Sequence, residues 1–170
     1  MRTFFKSLAI AGTIILFGCT NKVGSTYLVE DQLKPYVESF NNECQMRGYD
    51  PVQLSVSIKC VKFPGSLDNQ QFKFNTQQPF GPDWVGVALT NNQTGEKYVF
   101  INPSQWYMSD RTGKEIIVYH ELFHAYFGLP HSDNEILKPS PTDADAAYYL
   151  KNRNAVLDKV FEQVKEYFKK

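Results

Sequence analysis

From Leu33 onward, the apolar positions Leu33, Val37, Phe40 and Cys44 recur at i, i+4, i+7 and i+11, the stripe of an amphipathic helix. Pro35 suits the first turn of that helix and Gly48 can close it. Leu54, Val56, Ile58 and Cys60 then alternate with Ser55, Ser57 and Lys59, the period of a half-buried strand. Residues 64–82, rich in Gly, Pro, Asn and Gln, read as loop with a short strand at 71–74. Two apolar runs, 84–90 and 97–102, flank an Asn-Asn-Gln-Thr-Gly-Glu connector, which predicts a hairpin with Gly95 free to take positive φ. Asn102-Pro103 ends the second strand. A helix over 112–127 is apolar on most faces and is therefore expected to be buried. After a proline-rich loop at 138–141, Thr142 and Asp145 make an acidic variant of the capping box. They open a C-terminal helical region striped by Leu157, Val160, Phe161, Val164 and Phe168. No repeat and no low-complexity tract interrupts this order, which predicts a single α+β domain.

Composition narrows the function classes. The chain has 170 residues, 42% apolar and 21% charged, enough for one domain with a buried core. Lys+Arg and Asp+Glu number 18 each and no basic cluster forms, which argues against nucleic acid as the main partner. Charge is uneven at the start, however. Arg2 and Lys6 precede an apolar run over residues 8–17, and the first acidic residue is Glu30. That run is too short to span a bilayer but suits an export signal. It ends in Leu16-Phe17-Gly18-Cys19, which resembles the bacterial lipobox, where a small residue precedes the cysteine that becomes lipidated. The expected organisation is a signal peptide over 1–18, a lipidated Cys19 with a tether over 19–29, and a domain over 30–170. Such a protein is anchored to a membrane in the bacterial cell envelope without spanning it. Thr20, where an Asp would favour the inner membrane, leans towards the outer membrane in a cell that has two.

Cys44 and Cys60 fall on the core-facing sides of neighbouring elements. In an oxidising envelope they are candidates for a disulfide, and two buried free thiols are the alternative.

All three histidines lie in one stretch, His-Glu-Leu-Phe-His-Ala-Tyr-Phe-Gly-Leu-Pro-His, residues 120–131. His120 and His124, four apart on a helix, present both imidazoles on one face, one turn apart. Glu121 is adjacent, placed to reach a water at the metal without ligating the metal. Gly128 can end the helix in the left-handed conformation, and Pro130 stiffens the chain that brings His131 back. Three neutral nitrogen ligands with an open fourth position describe a catalytic zinc site better than a closed structural one. An HExxH pentapeptide arises by chance in roughly one chain of this length in a few hundred. A third histidine behind a helix-ending glycine, with no other histidine in the chain, makes coincidence remote.

These residues, with Glu-Ile-Leu-Lys-Pro-Ser at 135–140, resemble the metzincin metalloproteases, above all the matrixin-like branch with its HExxHxxGxxH motif and Met-turn. Residues 30–162 are similar to small bacterial lipoproteins with a metzincin-like peptidase domain. The resemblance implies a zincin-like α+β fold, with a small mixed sheet packed on the zinc helix and a C-terminal helix beside it. It also implies Zn²⁺ on His120, His124 and His131, Glu121 as general base, and a peptide or protein substrate laid along an edge strand at 85–90. Two departures stand out. Gly128 and His131 each come one residue later than in the family pattern, and Leu137 occupies the Met-turn methionine's place. Phe123 also replaces the small residue that often precedes the second histidine.

Some alternatives stay open at this level. Glu135, Asp143 and Asp145 are competing third ligands, although Asp145 has a helix to cap. Tyr148 or Tyr149 is a candidate for stabilising the oxyanion, and packing is the plainer role for each. The rival function is a zinc-binding envelope lipoprotein that holds a protein or peptide partner without turnover, a reading that gives no physical reason for Glu121.

Overall fold

The computed structural model describes residues 29–49, 56–60, 72–74, 84–91 and 93–169. The expected signal peptide, Cys19, the tether before Val29 and most of the 64–82 loop lie outside the described residues. Within them the chain is mixed α+β. Helix α1 (Lys34–Met46) is followed by strands β1 (Val56–Cys60), β2 (Phe72–Phe74), β3 (Gly86–Asn91) and β4 (Lys97–Ile101). Helices α2 (Pro103–Met108), α3 (Arg111–Phe127) and α4 (Asp143–Tyr167) complete the order.

The strands form one sheet in the order β1-β4-β3-β2, with β1 parallel to β4 and the other pairings antiparallel. Just before α1, Val29 bridges to Ile58, so the chain enters the domain along the outer side of β1. The β3–β4 connection is the predicted hairpin. Gly95 has φ +72°, and the Asn91 side chain accepts from the Gln93 and Thr94 amides at 2.8 and 3.2 Å.

The strand over 85–90 was expected at the sheet edge, and the structure corrects this. β2 pairs with Leu89, Thr90 and Asn91, which makes β3 an interior strand over its second half. Val85 O accepts from Asn102 N, and Asn91 N donates to Glu96 O, so odd-numbered residues of β3 face β4. Strand alternation then turns the amide and carbonyl groups of Gly86 and Ala88 the other way. There, among the described residues, β2 no longer reaches.

α3 is the central element. One side packs on β3 and β4, and the other meets α1 and α4. Its Ile116, Val118, Tyr119, Leu122 and Phe123 are all buried, as the run of apolar residues required. Phe40 of α1 meets Tyr119 and Phe123 edge-to-face, with ring centroids 5.2 and 5.1 Å apart. Such pairs add about 0.5–1.5 kcal/mol each beyond burial. An ionic clamp joins the three helices. Glu43 of α1, only 6% exposed, takes Arg47 and Arg153 at 2.5 Å each. Arg153 of α4 also binds Glu115 at 2.6 Å and donates to the Tyr119 hydroxyl at 2.9 Å.

The expected Cys44–Cys60 disulfide is not formed, because Cys44 is a free buried thiol. α1 packs on α3, and Cys44 lies ten residues beyond Lys34. That is about 15 Å along the helix from the end that adjoins β1. Burial pushes its thiol up to about 12, so it behaves as a core side chain. The Cys60 side chain lies outside the described residues.

α4 opens with the expected capping box. Thr142 Oγ1 accepts from Asp145 N at 3.3 Å, and Asp145 accepts from Thr142 N at 2.8 Å. Asp145 also holds Lys138 in an ion pair. Lys138, followed by the Thr142 hydroxyl and amide, lowers the Asp145 pKa from 3.8 to about 2. A carboxyl held below its unfolded value stabilises the fold above that value and ceases to as pH falls through the folded one. Asp145→Asn should therefore melt lower than wild type at neutral pH, by the order of 1 kcal/mol expected of a lost cap. Thermal melts of both proteins at descending pH should show that gap narrowing below about pH 4 and closing towards pH 2.

Candidate metal centre

α3 carries His120, Glu121 and His124 because its ends are fixed on both sides of them. Asp110 caps the start by accepting from Gly113 N at 2.7 Å. At the other end Gly128 adopts φ +61°, and its amide returns to His124 O at 3.1 Å. A left-handed residue directly after the helix is strained for any side chain but glycine, so this position fixes where the chain turns. The four-residue return 128–131 then carries His131 back over the face that holds the other two histidines. Because Gly128 ends the helix, Ala125, Tyr126 and Phe127 all belong to α3, and only 128–131 form the return.

The two helical imidazoles are oriented by backbone carbonyls. His120 Nδ1 lies 2.6 Å from Ile136 O, and His124 Nδ1 lies 2.5 Å from Leu129 O. A carbonyl oxygen only accepts, so in both rings Nδ1 carries the hydrogen. Burial, and then the neighbouring His124 imidazole, hold the His120 pKa at about 3; burial also lowers that of His124. Both rings are thus neutral, with bare Nε2 lone pairs.

Those lone pairs face each other. His124 Nε2 is 2.9 Å from His120 Nε2, and His131 Nε2 is 3.3 Å from it. Two bare acceptors at this distance make no hydrogen bond and repel, unless a cation takes both lone pairs. Tetrahedral metal–nitrogen bonds of 2.0–2.1 Å place ligand nitrogens about 3.3–3.4 Å apart, close to what is observed. The donor set therefore fits a metal ion on His120, His124 and His131, whose ligand atoms all lie within 4.8 Å of one another.

The Ile136 carbonyl is itself braced. The Asn134 side chain accepts from Ile136 N at 2.9 Å and donates to Val156 O of α4 at 3.3 Å. Leu137 is fully buried, and its carbonyl accepts from Ser132 N at 3.1 Å. Lys97 of β4 donates to Ala125 O, satisfying one of the orphan carbonyls in the last turn of α3.

Glu121 is 4% exposed, with Oε1 3.9 Å from His120 Nε2. It is no ligand in this arrangement. Burial raises its pKa to about 8 in the absence of a cation, and a positive ion on the neighbouring nitrogens lowers it again. Glu121 and the histidines line a cleft of about 1180 Å³, whose walls include Trp84, Gly86, Ile117, Pro141 and Tyr167.

Asp143 reaches this cleft but is not among the grouped ligands, whereas Glu135 faces a different surface hollow. Asp145 is engaged in its cap. Tyr149 is buried and donates to Glu115 at 3.1 Å, and Tyr148 is 45% exposed; neither lines the cleft. The tyrosine that does is Tyr167, from the far end of α4. Sequence reasoning missed it because a helix end has no motif that points across the fold. It missed Asn134 and Gly86 for the same reason.

In comparisons with known protein families, with curated proteins and with solved structures, nothing matches this chain. What the fold and site define is an α+β protein with a three-histidine centre able to hold a metal ion.

Binding to such a centre is coupled to folding. A ligand present at a hundred times its Kd stabilises the folded state by about 2.7 kcal/mol. A divalent metal ion should therefore raise the melting temperature of the purified full chain by several degrees, and a chelator should reverse it. In His120→Ala, His124→Ala and His131→Ala the metal-dependent rise should shrink or vanish, with metal content by elemental analysis falling in parallel.

Proposed function

We propose that this protein is a zinc-dependent endopeptidase of the metzincin type. The observation that carries this reading is the pairing of three converging imidazole nitrogens with a buried, non-ligating carboxylate in one open cleft. Three imidazoles suit zinc, and a three-ligand set leaves a coordination position free for chemistry. Bound there, zinc supplies Lewis acidity to a scissile carbonyl and to the attacking water. His120 and His124 are kept neutral and aimed by Ile136 O and Leu129 O, so no proton has to leave them before they coordinate. Glu121 accepts the proton of the attacking water as the new C–O bond forms at the carbonyl carbon. It then donates that proton to the amine nitrogen as the C–N bond breaks. An extended peptide fits along Gly86 and Ala88, whose amide and carbonyl groups face away from β4.

The same reading places the protein on the bacterial envelope, held by lipid on Cys19. It is supported by Arg2 and Lys6, the apolar run 8–17 and the Gly18-Cys19 junction. Among the described residues, no helix is long and apolar enough to cross a membrane.

Glu121→Gln tests the chemistry. Glutamine is nearly isosteric and still hydrogen-bonds water, but it accepts no proton near neutral pH. Cleavage of a diverse peptide library should fall by about 10²–10⁴ at equal zinc occupancy and unchanged melting temperature. Equal rates would remove Glu121 from the mechanism. A zinc-loaded wild type that cleaves nothing in the library is the outcome expected of the partner-binding lipoprotein.

Cys19→Ser tests the anchor. Expressed in a bacterial host, the variant should lose processing and move out of the lipid-anchored membrane fraction, whereas wild type stays in it. Identical fractionation and processing would refute lipidation at Cys19.

A further inference from the structure

We infer that Gly86 of β3 is a positioning residue for the Glu121 carboxylate, a role that rests on the peptidase reading above. The observation is a contact that only glycine permits. A Cβ built at position 86 would stand 2.6 Å from Glu121 Oε1, 2.8 Å from Cγ and 2.9 Å from Cδ. Three atoms of one side chain thus occupy the space where a Cβ at this position would stand. Carbon–carbon contacts below 3.0 Å do not occur between unbonded atoms, so a side chain at 86 and this Glu121 rotamer exclude each other.

Backbone conformation does not explain the glycine. Gly48, Gly95 and Gly128 have positive φ, and Gly86 does not. Its dihedrals suit any residue, and glycine is the less favourable choice in a strand interior. What position 86 lacks is space, and the space is occupied by the carboxylate.

The surroundings leave that carboxylate few other anchors. Glu121 is 4% exposed and makes no hydrogen bond that would hold it in place among the described residues. On one side lies His120 Nε2 at 3.9 Å, and on the other the bare backbone of Gly86. Because Cγ is part of the clash, a larger residue at 86 forces a change of rotamer and not a small swing of the carboxylate tip. The displaced carboxylate moves relative to the three nitrogens, which belong to α3 and to the 128–131 return. A general base misplaced by about 1 Å can lose about 10²-fold in rate.

The test is a double-mutant cycle on the purified full chain, with Gly86→Ala and Glu121→Ala separately and together. Melting temperature is read on metal-free protein, zinc content by elemental analysis, and kcat and KM on a fluorogenic peptide library. Gly86→Ala is expected to lower the melting temperature when Glu121 is present. In the Glu121→Ala background it should leave the melting temperature unchanged or raise it, because the clashing atoms are gone. Zinc content should equal that of wild type, kcat should fall about 10²-fold, and KM should stay within about twofold. An equal melting shift in both backgrounds, failure to fold in both, or an unchanged kcat would overturn the inference. The melting cycle needs no activity. If Glu121→Gln retains full activity while the cycle still shows coupling, the peptidase mechanism has failed, and the contact between Gly86 and Glu121 has not.

Discussion

The arrangement of this molecule turns on two hydrogen bonds, from His120 Nδ1 to Ile136 O and from His124 Nδ1 to Leu129 O. Each takes the one proton a neutral imidazole has and leaves a lone pair on the other nitrogen. Helix geometry brings the two lone pairs together, and the fold cannot relieve their repulsion by rotating either ring without leaving a backbone carbonyl unpaired. A buried unpaired polar group costs about 1–3 kcal/mol. The protein is therefore built in tension at the point where a cation relieves it. The Ile136 carbonyl comes from a turn that Asn134 ties to α4, and the Leu129 carbonyl comes from a return that Gly128 starts. Two loops with no regular structure of their own are thereby made part of the metal centre.

Such a centre needs a rigid base, and α3 has one on each side. The sheet supports it through β3 and β4, while α1 and α4 close the other side around Phe40, Phe123 and Phe161. The Glu43–Arg153–Glu115 clamp adds direction to this packing. Buried ion pairs often contribute little net stability, because desolvation offsets the attraction. Breaking one leaves an uncompensated charge, so the pairing disfavours any other register of the three helices. Tyr119 completes it by accepting from Arg153 and donating to Ser39 at 2.9 Å. The orientation of α3, and with it the direction of its histidines, is set by charge as well as by shape.

Much of this was legible in the chain itself. Both ends of α1, the end of α3 and the start of α4 fall close to the residues read as caps and breakers, Pro35, Gly48, Gly128 and the Thr142–Asp145 box, because those act through local backbone geometry. The hairpin followed from Gly95 for the same reason. The three histidines were recognisable because a metal site needs ligand types at helical spacing. What stayed hidden depends on where distant segments meet. Helix α2 was read only as a strand break, although Asn102, which accepts from Ser104 N, is an ordinary helix cap. The place of β3 inside the sheet depends on β2, whose three residues carry too little pattern to announce a partner. The Cys44–Cys60 pairing failed because shared burial does not imply proximity, and α1 leads Cys44 away from β1.

The path from His124 to His131 shows how local and distant constraints combine. A connector of this length can run on as helix, bulge or stay a slack loop, and each leaves His131 in a different place. Here Gly128 decides. A left-handed residue at that position ends α3 at Phe127, so Ala125, Tyr126 and Phe127 all stay helical and the return begins at Gly128. Leu129 then has a second duty beyond spacing, because its carbonyl is the partner of His124 Nδ1. Its own side chain is 3% exposed and packs into the core, which holds that carbonyl in place. The return is thus pinned at Leu129, and Pro130, the one residue between it and His131, has its φ fixed by its ring. Within these limits the third imidazole can lie 3.3 Å from His120 Nε2, a spacing that suits a shared ion. The spacing from His124 to His131 is therefore met by the last turn of α3 and a return pinned at Gly128 and Leu129.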